Sequence, residues 1–283
     1  MTSDKHLLAG FEERRAAVKG VDLRYFVAGA GKPAIVLVHG LGGAAANWFA
    51  VAPELARHHR VVVPDLPGHG GSAGVPGLPN LAPFAEIVHE LGVREDALPA
   101  LFAGHSLGAV VAVRHAVRYP DETLGVVLAG AAGIRSSTRT AQVLLALTAL
   151  VEPGRRLAPH RRRIASSPRL RTAVFGGWGA SDPAALAPEA ADALLVDVPL
   201  HTGIADASSA LVRDDVRPLL GAVRCPALVL WGARDTQVPL EDAFAYARGL
   251  GSELRVLADC GHLLVVERPA VCLDAIESLL AAR

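Results

Sequence analysis

A chain of 283 residues, 51% hydrophobic and 20% charged, carries enough apolar surface for a sizeable core and too much to remain disordered. Its 28 Lys and Arg balance 28 Asp and Glu, so nothing draws it toward nucleic acid or an anionic membrane, and a neutral or amphiphilic small molecule is the expected partner. No apolar run approaches the ~20 residues of a bilayer span, residues 1–10 show no leader-like apolar stretch, and Cys225, Cys260 and Cys272 are an odd count without metal-site spacing. Reduced, mostly buried thiols in a cytoplasmic protein without stable membrane insertion are therefore expected.

In chain order, residues 12–18 and 21–27 read as two strands joined through Gly20, an antiparallel hairpin at a sheet edge. Residues 34–38 form a continuous apolar run, the mark of a parallel strand buried on both faces, and end in the glycine loop His39-Gly40-Leu41-Gly42-Gly43. A helix is expected over 46–58. The next buried strand, 60–63, ends in a turn-rich Pro/Gly loop over 64–72. A helix over 81–91 closed by Gly92, a strand over 99–103, a helix over 107–119 and a strand over 124–128 follow. From 134 to 215 there is no buried-strand run. Helical stretches at 141–151 and 184–196 alternate with breaks at Pro153, Pro159, Pro168, Pro183 and Pro199. Alternation resumes with a strand over 227–231, a helix over 240–250, a strand over 253–257 and a final helix over 270–282. The expected fold is α/β: a mostly parallel, doubly wound sheet of about eight strands with helices on both faces and right-handed crossovers. Residues 1–133 and 216–283 would form its core, and 134–215 a helical cap. Loops at the carboxyl ends of such strands line the ligand crevice.

One of those loops is Gly104-His105-Ser106-Leu107-Gly108, between an apolar strand and a helical pattern. A serine between two glycines at a strand-to-helix turn is a nucleophile elbow. The turn is so tight that its neighbours must lack bulk, and it pushes the hydroxyl out of the backbone. The helix start adds backbone N–H groups and partial positive charge beside that hydroxyl. A serine hydroxyl becomes a nucleophile when a base takes its proton, and the base should be a neutral histidine held in one tautomer by a carboxylate. Two late loops supply the pair: Gly232-Ala233-Arg234-Asp235 and Ala258-Asp259-Cys260-Gly261-His262. Asp259 is the rival acid, but it lies too near His262 in the same loop to orient its ring well.

From about residue 21 to residue 280 the chain resembles the α/β-hydrolase family. The motifs that carry the resemblance are His39-Gly40-Leu41-Gly42-Gly43, Asp65-Leu66-Pro67-Gly68-His69-Gly70, Gly104-His105-Ser106-Leu107-Gly108, Gly232-Ala233-Arg234-Asp235, and Cys260-Gly261-His262 with Glu267-Arg268-Pro269. The order Ser106, Asp235, His262 is the order this fold uses. The resemblance implies Ser106 as nucleophile, His262 as general base and then acid, and Asp235 as its orienter. It also implies an oxyanion hole from the backbone N–H of Leu41 and Leu107. His39 and His105 would be structural partners of the loops, and Asp65 would close its own glycine turn. No cofactor and no metal is expected. Trp48 is a candidate pocket residue or a core tryptophan at a helix start, and Phe175 and Trp178 are candidates to reach the pocket from the cap. Leu144, Leu145, Leu147, Leu150 and Val151 suggest an apolar cap face. Arg155, Arg156, Arg161, Arg162 and Arg163 read as a solvated face rather than an acidic-substrate site.

The leading expectation is a serine hydrolase acting on carboxylic esters of small or medium acyl groups through an acyl-enzyme. The alternatives keep the same residues. One is carbon–carbon hydrolysis of a ring-cleavage diketone, which Asn47-Trp48 echoes. Gly42-Gly43-Ala44 without proline, His105 in place of Asn and Leu263 in place of Trp count against it. Others are cofactor-free haloperoxidase activity, a biosynthetic acyl transfer or cyclisation, and a ligand receptor on the same fold. Serine at position 106 disfavours the relatives that use a carboxylate nucleophile, the dehalogenases and epoxide hydrolases.

Overall fold

The computed structural model describes residues 7–134 and 153–282. Eight strands among them are β1 (Glu12–Val18), β2 (Val21–Ala28), β3 (Ala34–Val38), β4 (Val61–Pro64), β5 (Ala100–His105), β6 (Thr123–Ala129), β7 (Ala227–Gly232) and β8 (Glu253–Leu257). They form one sheet in the order β1-β2-β4-β3-β5-β6-β7-β8. The β1–β2 and β2–β4 pairs are antiparallel, and β4, β3, β5, β6, β7 and β8 run parallel. β3, β4 and β5 are buried along their whole length, as a sheet covered on both faces requires, while β1 at the edge exposes alternate residues.

Successive strand residues feed opposite layers, because a strand's side chains alternate in direction. Val36, Val38, Phe102, Leu128, Val229 and Trp231 pack with α2 (Ala82–Arg94), α3 (Leu107–Arg118) and the helix Leu240–Leu250. Their neighbours Ile35, Leu37, Leu101, Ala103, Val127 and Leu230 pack with Trp48, with Leu55 of α1 (Ala52–Leu55), and with the final helix Pro269–Ala281. This is the doubly wound α/β sheet that the strand-helix alternation predicts.

Three local expectations need correction. The helix expected over 46–58 is a 3-10 turn, Ala45–Trp48, followed by the single turn α1. Pro53 has no N–H and is tolerated only in the first turn of a helix, so the helix restarts there. Asn47 draws the preceding turn away: its Oδ1 accepts from Ala44 N at 3.2 Å, and its Nδ2 donates to Ala193 O at 2.9 Å. Second, α2 runs through Gly92 to Arg94. That glycine makes room for a neighbour, since a Cβ there would lie 2.9 Å from Leu98 Cγ. Third, the helix expected over 184–196 is shorter, Pro188–Ala193, with a proline in its first turn.

Between β6 and β7 the described elements are helical, including Arg161–Ser166, Pro168–Phe175 and Ile204–Val212. The expected helix at 141–151, with Leu144, Leu145, Leu147, Leu150 and Val151, lies outside the described residues. Ile164, Phe175, Leu186, Ala190 and Leu195 join the same buried cluster as Ile35 and Leu101. Buried polar contacts tie this segment to the loops of β3 and β4. Arg24 of β2 donates from Nε to Asp65 Oδ2 at 2.5 Å and pairs with Asp197 at 2.8 Å, all three carboxylate and guanidinium groups being buried. The two carboxylates hold the guanidinium well above its ordinary pKa against the opposing cost of burial. His201 accepts from Gly70 N at 2.8 Å and donates to Gly42 O at 3.1 Å.

Candidate active site

The strand β5 delivers Gly104 and His105 to a reversal at Ser106, which stands at φ 53° and ψ −112°, and Leu107 opens α3. A positive φ at a non-glycine residue is strained backbone that surrounding structure must hold in place. Here Ser106 N donates to Ala129 O of β6 at 2.9 Å, and Ser106 O accepts from Ala109 N at 3.1 Å and Ala132 N at 3.2 Å. The flanking glycines are required by contact. A Cβ on Gly104 would lie 2.3 Å from Gly108 O, and one on Gly108 would lie 2.2 Å from Val38 O. Both obstacles are backbone. Gly108→Ala should therefore destabilise the fold by on the order of 3 kcal/mol and lower the melting temperature by roughly 6–12 °C, as read by calorimetry.

The loop after β3 passes beside the serine: a Cβ on Gly40 would sit 3.1 Å from Ser106 Cβ. Gly43 N donates to Gly40 O at 3.1 Å, which closes the turn. His39 fixes its position. Its Nε2 accepts from Leu66 N at 2.9 Å, which leaves Nδ1–H to donate to Gly40 O at 2.8 Å. Burial lowers the pKa of His39, so this neutral tautomer is the one the site keeps. The backbone N–H groups of Leu41 and Leu107 donate to no acceptor among the described residues.

Asp235 follows β7 and His262 follows β8. His262 Nδ1 lies 2.8 Å from Asp235 Oδ2, and the Asp235 side chain is 1% exposed. Asp235 Oδ1 accepts from Gln237 N at 2.8 Å and Val238 N at 2.9 Å, so both carboxylate oxygens are used. The pair stands at the end of β6, where a Cβ on Gly130 would be 3.4 Å from His262 Nδ1 and 3.6 Å from Asp235 Oδ2. Gly130 directly follows Ala129, the residue that holds Ser106 N. Among the described residues Ser106 Oγ makes no hydrogen bond. The His262–Asp235 contact is thus formed, and no Ser106–His262 hydrogen bond occurs. Asp259 is elsewhere: its carboxylate is 71% exposed and lies 3.9 Å from Arg268.

His105 donates from Nε2 to His262 O at 2.8 Å, and burial pushes its pKa down to about 3, so it holds the neighbouring loop as a neutral ring. Asp65 accepts from Gly71 N at 2.9 Å, within its own turn, and also from Ala45 N and Arg24. Trp48 and Phe175 are sealed in the core, while Trp178 is half-buried with its ring 5.5 Å from that of Phe175 at 81°. Of the five arginines at 155–163, Arg155, Arg156, Arg162 and Arg163 are exposed, and Arg161 pairs with Asp192 at 3.0 Å. Cys260 and Cys272 are buried and their thiols are pushed up to about 12, so they remain protonated. No group of three metal-ligating side chains occurs among the described residues.

A family model described as the alpha/beta hydrolase family matches residues 35–275. The chain belongs to the alpha/beta hydrolase family. It is 32% identical over 263 residues to the dihydrolipoyllysine-residue acetyltransferase component of an acetoin cleaving system from Pseudomonas putida. That match covers 90% of this chain and 65% of the relative, so the chain spans less than two thirds of that protein. A 2-hydroxy-6-oxo-2,4-heptadienoate hydrolase, also of Pseudomonas putida, is 27% identical over 286 residues, covering 95% of this chain and 96% of that one. Among solved structures, a thermophilic esterase from Thermogutta terrifontis superposes with a TM-score of 0.71 at 27% identity, over 96% of this chain and 98% of the other.

In this alpha/beta hydrolase several site-shaping residues carry no readable signal in the sequence. Arg24 is one of seven charged residues in an edge hairpin, and its acids lie in two other loops. His201 is one histidine among 11 in the chain, in a segment without strand or long-helix periodicity. Glu267 belongs to a recognisable motif, but nothing in the motif says that its carboxylate turns back onto the His262 loop. Its Oε1 accepts from Leu263 N at 3.1 Å.

Proposed function

We propose that this protein is a serine hydrolase that cleaves carboxylic esters of small or medium acyl groups through an acyl-enzyme. Ser106 is the nucleophile, His262 the general base and then acid, Asp235 its orienter, and the N–H groups of Leu41 and Leu107 the oxyanion hole. Residues 134–215 act as the cap over the site, with Trp178 as the candidate pocket wall. The observation that carries the reading is the 2.8 Å contact between His262 Nδ1 and Asp235 Oδ2. A carboxylate on Nδ1 fixes the tautomer with Nε2 as a free base. Ser106 Oγ attacks the ester carbonyl while its proton passes to His262 Nε2. The tetrahedral oxyanion takes the two free amides, whose help is greatest on charge present only in that intermediate. Collapse expels the alcohol, which leaves with the proton from His262. A water deprotonated by His262 then attacks the acyl-enzyme and releases the acid.

The test is turnover of p-nitrophenyl esters of graded chain length, run beside a ring-cleavage diketone. Repeated release of nitrophenolate on short or medium chains supports the ester reading. Preference for the diketone would replace it with carbon–carbon hydrolysis, which the full-length likeness to the heptadienoate hydrolase favours. Release that stops near one equivalent would make the protein a receptor. Asp235→Asn should lower kcat by roughly 10²–10⁴-fold through the wrong imidazole tautomer. Asp259→Asn, with its exposed carboxylate, should stay within about twofold of the parent. Loss of activity in the second variant alone would reassign the acid. Among the described residues no helix is long and apolar enough to cross a membrane.

A further inference from the structure

The base sits on a loop with no secondary structure of its own, between β8 and the short helix Leu264–Glu267. Three consecutive amides, those of Gly261, His262 and Leu263, therefore need acceptors from outside the loop. Glu267 supplies two of them. Its Oε1 accepts from Leu263 N at 3.1 Å, and Gly261 N lies 3.2 Å from both of its oxygens. The third amide, His262 N, donates to Gly179 O at 2.7 Å. The His262 carbonyl is held by His105 Nε2. The same Glu267 carboxylate reaches the β6–β7 segment, where Oε2 accepts from Ser181 N at 2.8 Å and lies 2.7 Å from Ser181 Oγ. Ser181 Oγ is also 3.0 Å from Asp259 O, on the other side of the loop.

We propose that Glu267, seated by Ser181, is a positioning residue that locks the backbone around His262, so that the base is fully held only while residues 179–181 rest on its loop. The proposal rests on the reading of His262 as the general base. A carboxylate offers about four acceptor sites, and here Gly261 N, Leu263 N, Ser181 N and Ser181 Oγ fill them. No water or second side chain is needed, and no donor is accommodated. Glutamine at 267 would place an NH₂ against one of these N–H groups and release that contact. The anchors of the His262 loop thus have two origins: its own side of the core, through His105 and Glu267, and the β6–β7 segment, through Gly179 directly and through Ser181 by way of Glu267. Ring displacement of about 1 Å is enough to cost on the order of 10²-fold in rate.

The test uses Glu267→Gln and Ser181→Ala in the full chain, with three readouts. These are kcat and KM on a p-nitrophenyl ester, active-site titration with a serine-directed phosphonate, and the downfield proton NMR signal of His262 Nδ1–H. For Glu267→Gln we expect kcat per titrated site to fall by about 10–10²-fold with KM within about twofold, and the Nδ1–H signal to broaden or vanish. Ser181→Ala removes one donor of four and should act in the same direction, by about 3–10-fold; it decides the matter if Glu267→Gln does not fold. A folded variant with the parent's kcat per site and an unchanged Nδ1–H signal would overturn the proposal, as would a loss accounted for by fewer titratable sites. The NMR signal reports the His262–Asp235 contact without any substrate. If the parent turns over no ester, the proposed reaction fails, while the effect of Glu267→Gln on that signal still decides the positioning role.

Discussion

Ser106→Ala should reduce ester turnover by at least ~10⁴-fold in kcat/KM while leaving the fold intact. The hydroxyl makes no hydrogen bond to a described residue, and alanine meets the same backbone demand at φ 53° as serine does. Removing Oγ therefore takes away the proposed nucleophile without breaking a hydrogen bond to a described residue, and the melting temperature should stay within a few degrees of the parent. The thiol of Cys260, two residues before His262, is buried and pushed up to about 12, so it supplies no thiolate at neutral pH. The variant would keep the proposed oxyanion hole and substrate binding, which in comparable sites still give roughly 10³–10⁴-fold over water. Steady-state hydrolysis and phosphonate labelling of the purified variant check the expectation together. Labelling should be absent, and a variant that keeps more than a few per cent of activity would remove Ser106 from the mechanism.

The framework around this serine is legible because it depends on local, periodic signals. The run Ala34–Val38 is apolar at every position because β3 is covered on both faces, and the sequence expectation and the strand coincide. Gly104 and Gly108 are readable because two backbones pass within contact distance on either side of Ser106, and no other residue fits. Elsewhere one residue type serves two physical ends. Gly92 reads as a helix stop yet lies inside α2, because its missing Cβ makes room for Leu98 rather than for a turn. Trp48 suits a pocket or a core by composition alone, and packing around it places it in the core.

Polar contacts across the fold leave no trace in periodicity. Arg24, Asp65 and Asp197 come from a strand, a glycine-rich loop and the β6–β7 segment, and they meet only once all three are folded. Glu267 is similar: its motif carries a family resemblance, but its partners Ser181 and Leu263 are set by the path of the loop. Asp235 and Asp259 are both on carboxyl-end loops, and the sequence favours Asp235 because Asp259 lies too near His262 in the same loop. Burial separates them, one side chain being 1% exposed and the other 71%.

Acidification should unfold the protein well above the pH at which carboxylates alone would do so. Five histidines whose pKa burial lowers are held as neutral rings by the fold. Desolvation pushes His105 and His115 down to about 3 and His201 to about 4, from an ordinary 6.5. His39 and His69 are lowered in the same direction by the same cause. In each case the folded pKa lies below the unfolded one. Above pH 6.5 both states hold the neutral ring and nothing is lost. As pH falls from 6.5 toward 4 the unfolded chain binds protons that the native state refuses, so stability decreases with every step. At pH 4 each of His105, His115 and His201 costs on the order of 3 kcal/mol, and together they approach the whole stability of an ordinary domain, about 5–15 kcal/mol. Urea midpoints at pH 7 and pH 4.5 should therefore differ strongly, with unfolding taking up about three or more protons across the window. His201→Gln is the sharpest check. Glutamine can accept from Gly70 N and donate to Gly42 O as His201 does, yet it cannot be protonated. The variant should lose about one proton from that uptake and gain stability at pH 4.5 relative to the parent. Equal midpoints at the two pH values in the parent would show that these rings are protonated in the native state, with the His201 bridge between the β3 and β4 loops already broken.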